Sequence, residues 1–183
     1  MSLGITIHFR GQLKSEDCYS EVIRVAQREA FANEWLTEPI ENPETELLRI
    51  DEDEKESTYV GPTKGLVLYP HEDCEPIRLE FDRELGVQEF TKTQFAGAAI
   101  HIKVVEFLRK LEPYFDSFHV EDEGEFWNTS DETILQDHLT RTAQLIEEYR
   151  AKDPRNEVKV RTPDGRIADL IAYKSHENGP EGA

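Results

Sequence analysis

Three stretches of the chain carry side chains whose types and spacing suit chemistry. In FHVEDEGEFW, His119 and Glu121 stand two residues apart in an alternating run, so they share one face of a strand. His8 has the same phase in GITIHFRG, on the face opposite Ile5, Ile7 and Phe9. If the two strands are neighbours, His8, His119 and Glu121 meet. Imidazoles beside a carboxylate suit Mn²⁺, Fe²⁺ or Zn²⁺, the equipment of a metal-dependent hydrolase. The plainer reading is a sheet face turned to solvent, which carries such residues routinely.

The second stretch is FTKTQFAGAA, where a strand gives way to a helix with Thr91, Lys92 and Thr93 at the junction. Free N–H groups and the positive dipole end suit a small anionic ligand there. The GxxxxGK[ST] pattern of a nucleotide loop is absent. Ala96, Gly97, Ala98 and Ala99 equally suit close packing of the helix on a sheet. The third stretch is YPHEDCEP. His71 and Cys74 are zinc-ligand types two residues apart, but no second pair completes a tetrahedral set. The acids around Cys74 oppose a reactive thiolate, so a polar hairpin loop is the simpler account.

Phe126 and Trp127 sit in EDEGEFWNTSDE, a connection with six acids and no basic residue. Aromatics in such a setting serve as interface anchors or as the lid of a core. His101 falls one residue past the apolar stripe of FAGAAIHIKVVEFLRKL, at its edge, and is expected to be a packed boundary residue. His138 on the last helix has the same status.

These residues need elements to hold them. GITIHFRG alternates with period two, a strand. Tyr19, Val22, Ile23, Ala26 and Ala30 mark one face of a helix capped by Ser15. LTEPIENPETELLRI holds two prolines and reads as broken, with ELLRI a short strand and DEDEKES a solvated loop. PTKGLVLYP, EPIRLEFD and VQEFTK read as a meander of strands. Ile100, Val104, Phe107, Leu108 and Leu111 define a second helix ended by Pro113. FHVED is a further strand. Thr129 with Glu132 has capping-box spacing and opens a helix whose inner face is Leu135, Leu139, Ile146 and Tyr149. EVKVRTPDGRIADLIAY reads as two short strands about a Pro-Asp-Gly turn.

The order β-α-β(3 or 4)-α-β-α predicts an α+β fold, an antiparallel sheet with helices packed on one face. It is also the element order of the TATA-binding-protein-like fold, an analogy of order alone. The expected organisation is one domain over 3–152, a hairpin-like extension over 153–173 and a polar tail over 174–183.

Composition narrows the function classes. In 183 residues, Lys and Arg number 21 against 39 Asp and Glu, a net charge of −18. A surface of that sign opposes nucleic acid and favours a cationic ligand or a basic protein partner. No apolar run approaches the ~20 residues of a membrane span, and no charged segment followed by an apolar one marks a secretory leader. Two cysteines, Cys18 and Cys74, make no disulfide framework. A cytoplasmic protein is the expectation, and an exposed edge on a short antiparallel sheet allows a homodimer.

The strings LGITIHFRG, LYPHEDCEPIRLEFD and TKTQFAGAAIHIKVVEFL resemble a group of small bacterial proteins of uncharacterised function. The resemblance spans roughly 3–150. It implies a free-standing cytoplasmic domain, and it carries no activity, cofactor or catalytic residue. With no complete catalytic motif, the leading expectation is a non-catalytic module that binds a protein or small ligand without a cofactor. The alternatives are the metal-dependent hydrolase, and an acidic inhibitor of the immunity type covering a basic partner.

Overall fold

The computed structural model describes residues 3–51 and 53–172; the tail expected over 174–183 lies outside them. The fold is α+β with antiparallel sheets. Strand β1 (Thr6–Leu13) is followed by helix α1 (Glu16–Asn33). Four strands come next: β2 (Leu36–Ile50), β3 (Glu56–Tyr69), β4 (Ile77–Phe81) and β5 (Gly86–Lys92). Helix α2 (Ala98–Leu111) and a 3-10 turn at Glu112–Tyr114 lead to β6 (Phe115–Asp122). The short α3 (Phe126–Thr129), the long α4 (Glu132–Ala151) and the hairpin β7 (Glu157–Arg161) and β8 (Ile167–Ile171) complete the order.

One three-stranded ladder runs β5-β1-β6 and a second runs β2-β3-β4. A tight turn joins them, with Asp82 N–H donating to the Gly86 carbonyl at 3.0 Å. The Asp82 carboxylate fastens that turn by accepting from the amides of Glu84 and Gly86. Alternation in β1 sends Ile7 and Phe9 into the core and leaves His8 outside. Helices α1 and α2 cover the inner face. Val22, Val25, Ala26 and Ala30 of α1 share the core with Val104, Val105, Phe107, Leu108 and Leu111 of α2. The Ser15 hydroxyl caps α1, accepting from Cys18 N–H at 3.2 Å.

The region between Trp35 and Thr63 is more regular than its sequence suggests. β2 runs unbroken through both prolines, and the acidic run forms the turn after Ile50 rather than a long loop. β2 is an edge strand, where a missing N–H costs nothing if it points away from the partner. Pro43 falls where the register shifts between Asn42 and Thr45. On β3, Gly65 is required by contact. A β carbon there would lie 1.7 Å from the Leu79 carbonyl oxygen.

Two further differences concern helices. The cap of α4 is Asp131, whose carboxylate accepts from the Thr133 and Ile134 amides; Thr129 belongs to α3 instead. The buried stripe of α2 includes His101, which is 0% exposed, in place of the half-buried Ile100. His101, Val104, Val105, Leu108 and Leu111 keep helical spacing, so the imidazole sits in the stripe and not at its edge.

The C-terminal hairpin is tied to the body by buried charge. Lys92 Nζ donates at 2.8 Å to both the Asp169 carboxylate and the Ile167 carbonyl. The Glu75 carboxylate accepts from the amides of Ile167 and Lys92 at 2.8 and 3.0 Å. Arg166 bonds Glu89 and the Phe90 carbonyl.

Candidate functional site

The outer face of β5-β1-β6 is a grid of polar and aromatic side chains. Strand registry places His8 between Phe90 on β5 and Glu121 on β6. One step along, Arg10 lies between Gln88 and His119. Cross-strand neighbours in such a grid stand about 5 Å apart, and successive same-face residues about 7 Å apart. His119 Nε2 lies 3.2 Å from a Glu121 oxygen. The His8 and Phe90 rings are 5.6 Å apart at 34°.

The distal half of the β2–β3 hairpin bends over this grid and makes a roof. Gln88 holds the roof as a strand would: its oxygen accepts from Ile50 N–H at 2.8 Å and its amide donates to the Ile50 carbonyl at 3.0 Å. Arg49 adds contacts to the Gln88 carbonyl and to Asp82, each at 3.3 Å. Between roof and floor lies a half-open cleft of about 580 Å³. That size is typical of small-molecule sites. Its floor is the grid, and its roof brings Glu46, Leu48, Ile50, Asp51 and Glu54.

The charge of this cleft is uneven. Glu46, Asp51, Glu54 and Glu121 face two guanidiniums, Arg10 and Arg49, while Glu89, opposite the inward Phe9, is held by Arg166 at 3.1 Å. Arg49 is committed to Asp82 and two carbonyls. Arg10 is half-buried, and among the described residues no hydrogen bond or ion pair engages it. Phe90 adds a ring 38% exposed, with the Arg166 guanidinium 3.9 Å from its centroid.

The structure thus gathers His8, His119 and Glu121 on one face, as their phase predicts. It does not draw them into a ligand set. Among the described residues no three His, Cys, Asp or Glu side chains converge closely enough to hold a metal ion. Arg10 stands in the same grid, and its fixed charge opposes a divalent cation.

The strand–helix junction is filled from within. Thr91, Lys92 and Thr93 are buried, and α2 starts only at Ala98. The anion at Lys92 is the chain's own Asp169. Thr91 donates to the Glu75 carbonyl at 2.8 Å and touches Cys74. Burial pushes the Cys74 thiol up to about 12, the state of an inert core thiol. His71 is exposed and its ring nitrogen closes its own turn on Asp73 N–H.

Thr93 belongs to a sealed chain of hydrogen bonds. Its hydroxyl is 2.7 Å from His101 Nδ1, and His101 Nε2 is 3.1 Å from Asp122. Asp122 also accepts from the amides of Gly124 and Trp127 at 2.7 and 2.9 Å. Burial raises its carboxyl, but the hydrogen bond and charge of His101 with those two amides outweigh this and leave it below the ordinary value. A hydroxyl, an imidazole and a carboxylate in line resemble a hydrolytic triad, yet all three residues are buried. No substrate reaches them, and the chain reads as structural.

Phe126 and Trp127 lie over the core. Phe126 is buried, and Trp127 packs edge-on to Phe118 at 6.2 Å. Arg109 bonds both of their carbonyls and lies near both rings. His138 pairs with Glu125 at the surface. A second, more open groove runs between Gly97 and α4; Phe95, Leu139 and Ala143 make its walls mostly apolar, with Gln136, Thr140 and Gln144 among them.

Sequence reasoning missed Arg10, Phe90, Gln88 and the whole roof. The signal for Arg10 was present, since it shares the phase of His8. The roof carried none, because Pro39 and Pro43 broke the reading of β2. Compared with family models, with curated proteins and with solved structures, the chain matches none. Among the described residues no helix is long and apolar enough to cross a membrane.

Proposed function

We propose that the protein is a non-catalytic binding domain, and that the cleft under the β2–β3 roof takes a cationic ligand with an apolar body. The observation that carries this reading is the lining: among the described residues, Glu46, Asp51, Glu54 and Glu121 stand against one uncommitted guanidinium, with Phe90, Leu48 and Ile50 beside them. A lining with an excess of negative charge focuses the field of a chain whose net charge is −18. Phe90 offers a ring face to an ammonium group or an apolar surface to its stem. The sealing of the Thr93–His101–Asp122 chain supports binding over turnover.

Organic amines are expected to raise the thermal midpoint, while neutral and anionic analogues of the same shape are not. A ligand at ~100 times its Kd adds ~2.7 kcal/mol to a folded chain. For a chain of this length that is a shift of roughly 5–10 °C. The shift should shrink in high salt and in Glu121→Gln. If no amine moves the midpoint, the reading fails and a basic protein partner becomes the better account of the acidic surface.

A further inference from the structure

We infer that the ligand of this cleft is a zwitterion, an amino-acid-like molecule whose ammonium meets the acidic walls and whose carboxylate meets Arg10. The inference rests on the cleft being the binding site and narrows its ligand. It starts from the one group a purely cationic ligand leaves unexplained. Arg10 sits at the centre of the grid on the middle strand, half-buried, among more carboxylates than guanidiniums. Such a position normally ends in an ion pair. Yet Glu121 is turned to His119, and Asp51 closes the roof's own turn by accepting from the Asp53 and Lys55 amides. Glu46 and Glu54 make no ion pair among the described residues.

Both signs are therefore available to one guest. Arg10 has a planar fork of donors that matches a carboxylate in two parallel hydrogen bonds. Strand registry sets it between Gln88 and His119. Glu46 and Glu54 offer acceptors to an ammonium from the opposite wall. His8 and Phe90, in the next row of the floor, give a flat or apolar side chain somewhere to lie. An ammonium and a carboxylate on one carbon, with an aromatic or aliphatic side chain, meets all three demands. A bare amine leaves Arg10 buried under the ligand without an acceptor, which costs affinity.

The test is a matched set that keeps the ring and varies the charge: L-phenylalanine, phenethylamine and 3-phenylpropanoate. Each is titrated by calorimetry against wild type, Arg10→Gln and Arg10→Lys. L-phenylalanine should bind wild type about ten- to a hundred-fold tighter than phenethylamine, the range expected for charge-assisted hydrogen bonds. Arg10→Gln should remove that advantage while phenethylamine binds as well as before or better. Arg10→Lys should restore part of it, since it keeps the charge and loses the fork.

Equal affinities of wild type for L-phenylalanine and phenethylamine would overturn the zwitterion and leave the cationic reading intact. A loss of phenethylamine binding in Arg10→Gln as large as the loss for L-phenylalanine also overturns it, because Arg10 then holds the cleft's shape and not a carboxylate. Preference for 3-phenylpropanoate, or binding of none of the three, sinks the zwitterion together with the cationic reading.

Discussion

Two neighbouring carboxylates on β6 face opposite ways and have opposite fates. Asp122 points inward, where His101 and the amides of Gly124 and Trp127 use its oxygens. Glu121 points outward into the cleft, beside a histidine that is itself exposed. The same alternation on β1 separates Ile7 from His8 and Phe9 from Arg10. A polar group is stable inside only when its partners are complete, so the inner cluster is closed by necessity. The outer cluster has no such obligation, and among the described residues Arg10 remains without a hydrogen-bond or ion-pair partner. The difference teaches where to look for function: at the incomplete set, not at the more enzyme-like one.

The largest effect should come from breaking the closed set. Asp122→Ala strands His101 and two buried amides, and loss of one member of such a set costs about 3–5 kcal/mol. Urea denaturation should show that loss, with cleft affinity unchanged in the molecules that remain folded. If affinity falls in step, the two faces of the sheet are coupled and the comparison breaks.

Lys92→Met should come next, at about 3 kcal/mol, because it leaves the Asp169 carboxylate buried against Gly4 and deprives the Ile167 carbonyl of its donor. The damage should be local first. Amide exchange in 157–171 should accelerate before exchange in β1 does. Uniform acceleration would mean that the hairpin is part of the core unit rather than a strap upon it.

The pH dependence separates the faces in another way. The Asp122 carboxyl is held below its ordinary 3.8 in the folded state. Below about pH 4 the unfolded chain therefore binds a proton that the folded chain still refuses. Stability contributed by Asp122 is full above that value and is lost as pH falls through the folded one. Acid titration of unfolding should show a shallower decline in Asp122→Asn than in wild type. The same slope in both would remove Asp122 from the account of acid sensitivity.

Much of this was legible in the sequence, for a specific reason. Period-two alternation in β1 and β6 is a local property, and it placed His8, His119 and Glu121 on one face. Their distance from a metal set was not legible, because convergence depends on side-chain direction across three strands. Thr91, Lys92 and Thr93 sit at a strand–helix junction, and there the sequence pointed to an anion. The anion is Asp169, 77 residues further along the chain, beyond the reach of any local pattern. The prolines of β2 signalled a break because their meaning depends on whether the strand lies at an edge. His101 looked like a boundary residue because its partners lie off its own helix, Thr93 in the connection before α2 and Asp122 at the end of β6. The roof failed for the same reason as the anion: Gln88 meets Ile50 across 38 residues.

The smallest expected effect is the most telling. Arg10→Gln, His119→Ala and Glu121→Gln remove charge or ring from the outer face without opening a cavity or stranding a buried group. The pair of His119 with Glu121 is exposed on both sides, so it contributes little to folding. Each substitution should change unfolding free energy by less than about 0.5 kcal/mol, the range of surface positions. A structural role for this face predicts larger losses, near those of partly buried polar networks. A binding role predicts near-neutral stability together with loss of the L-phenylalanine advantage at Arg10 and weaker amine binding at Glu121. The two measurements on one variant therefore pull apart. A face that can be stripped of its charges without harm to the fold, in a grid this regular, owes its composition to what enters the cleft.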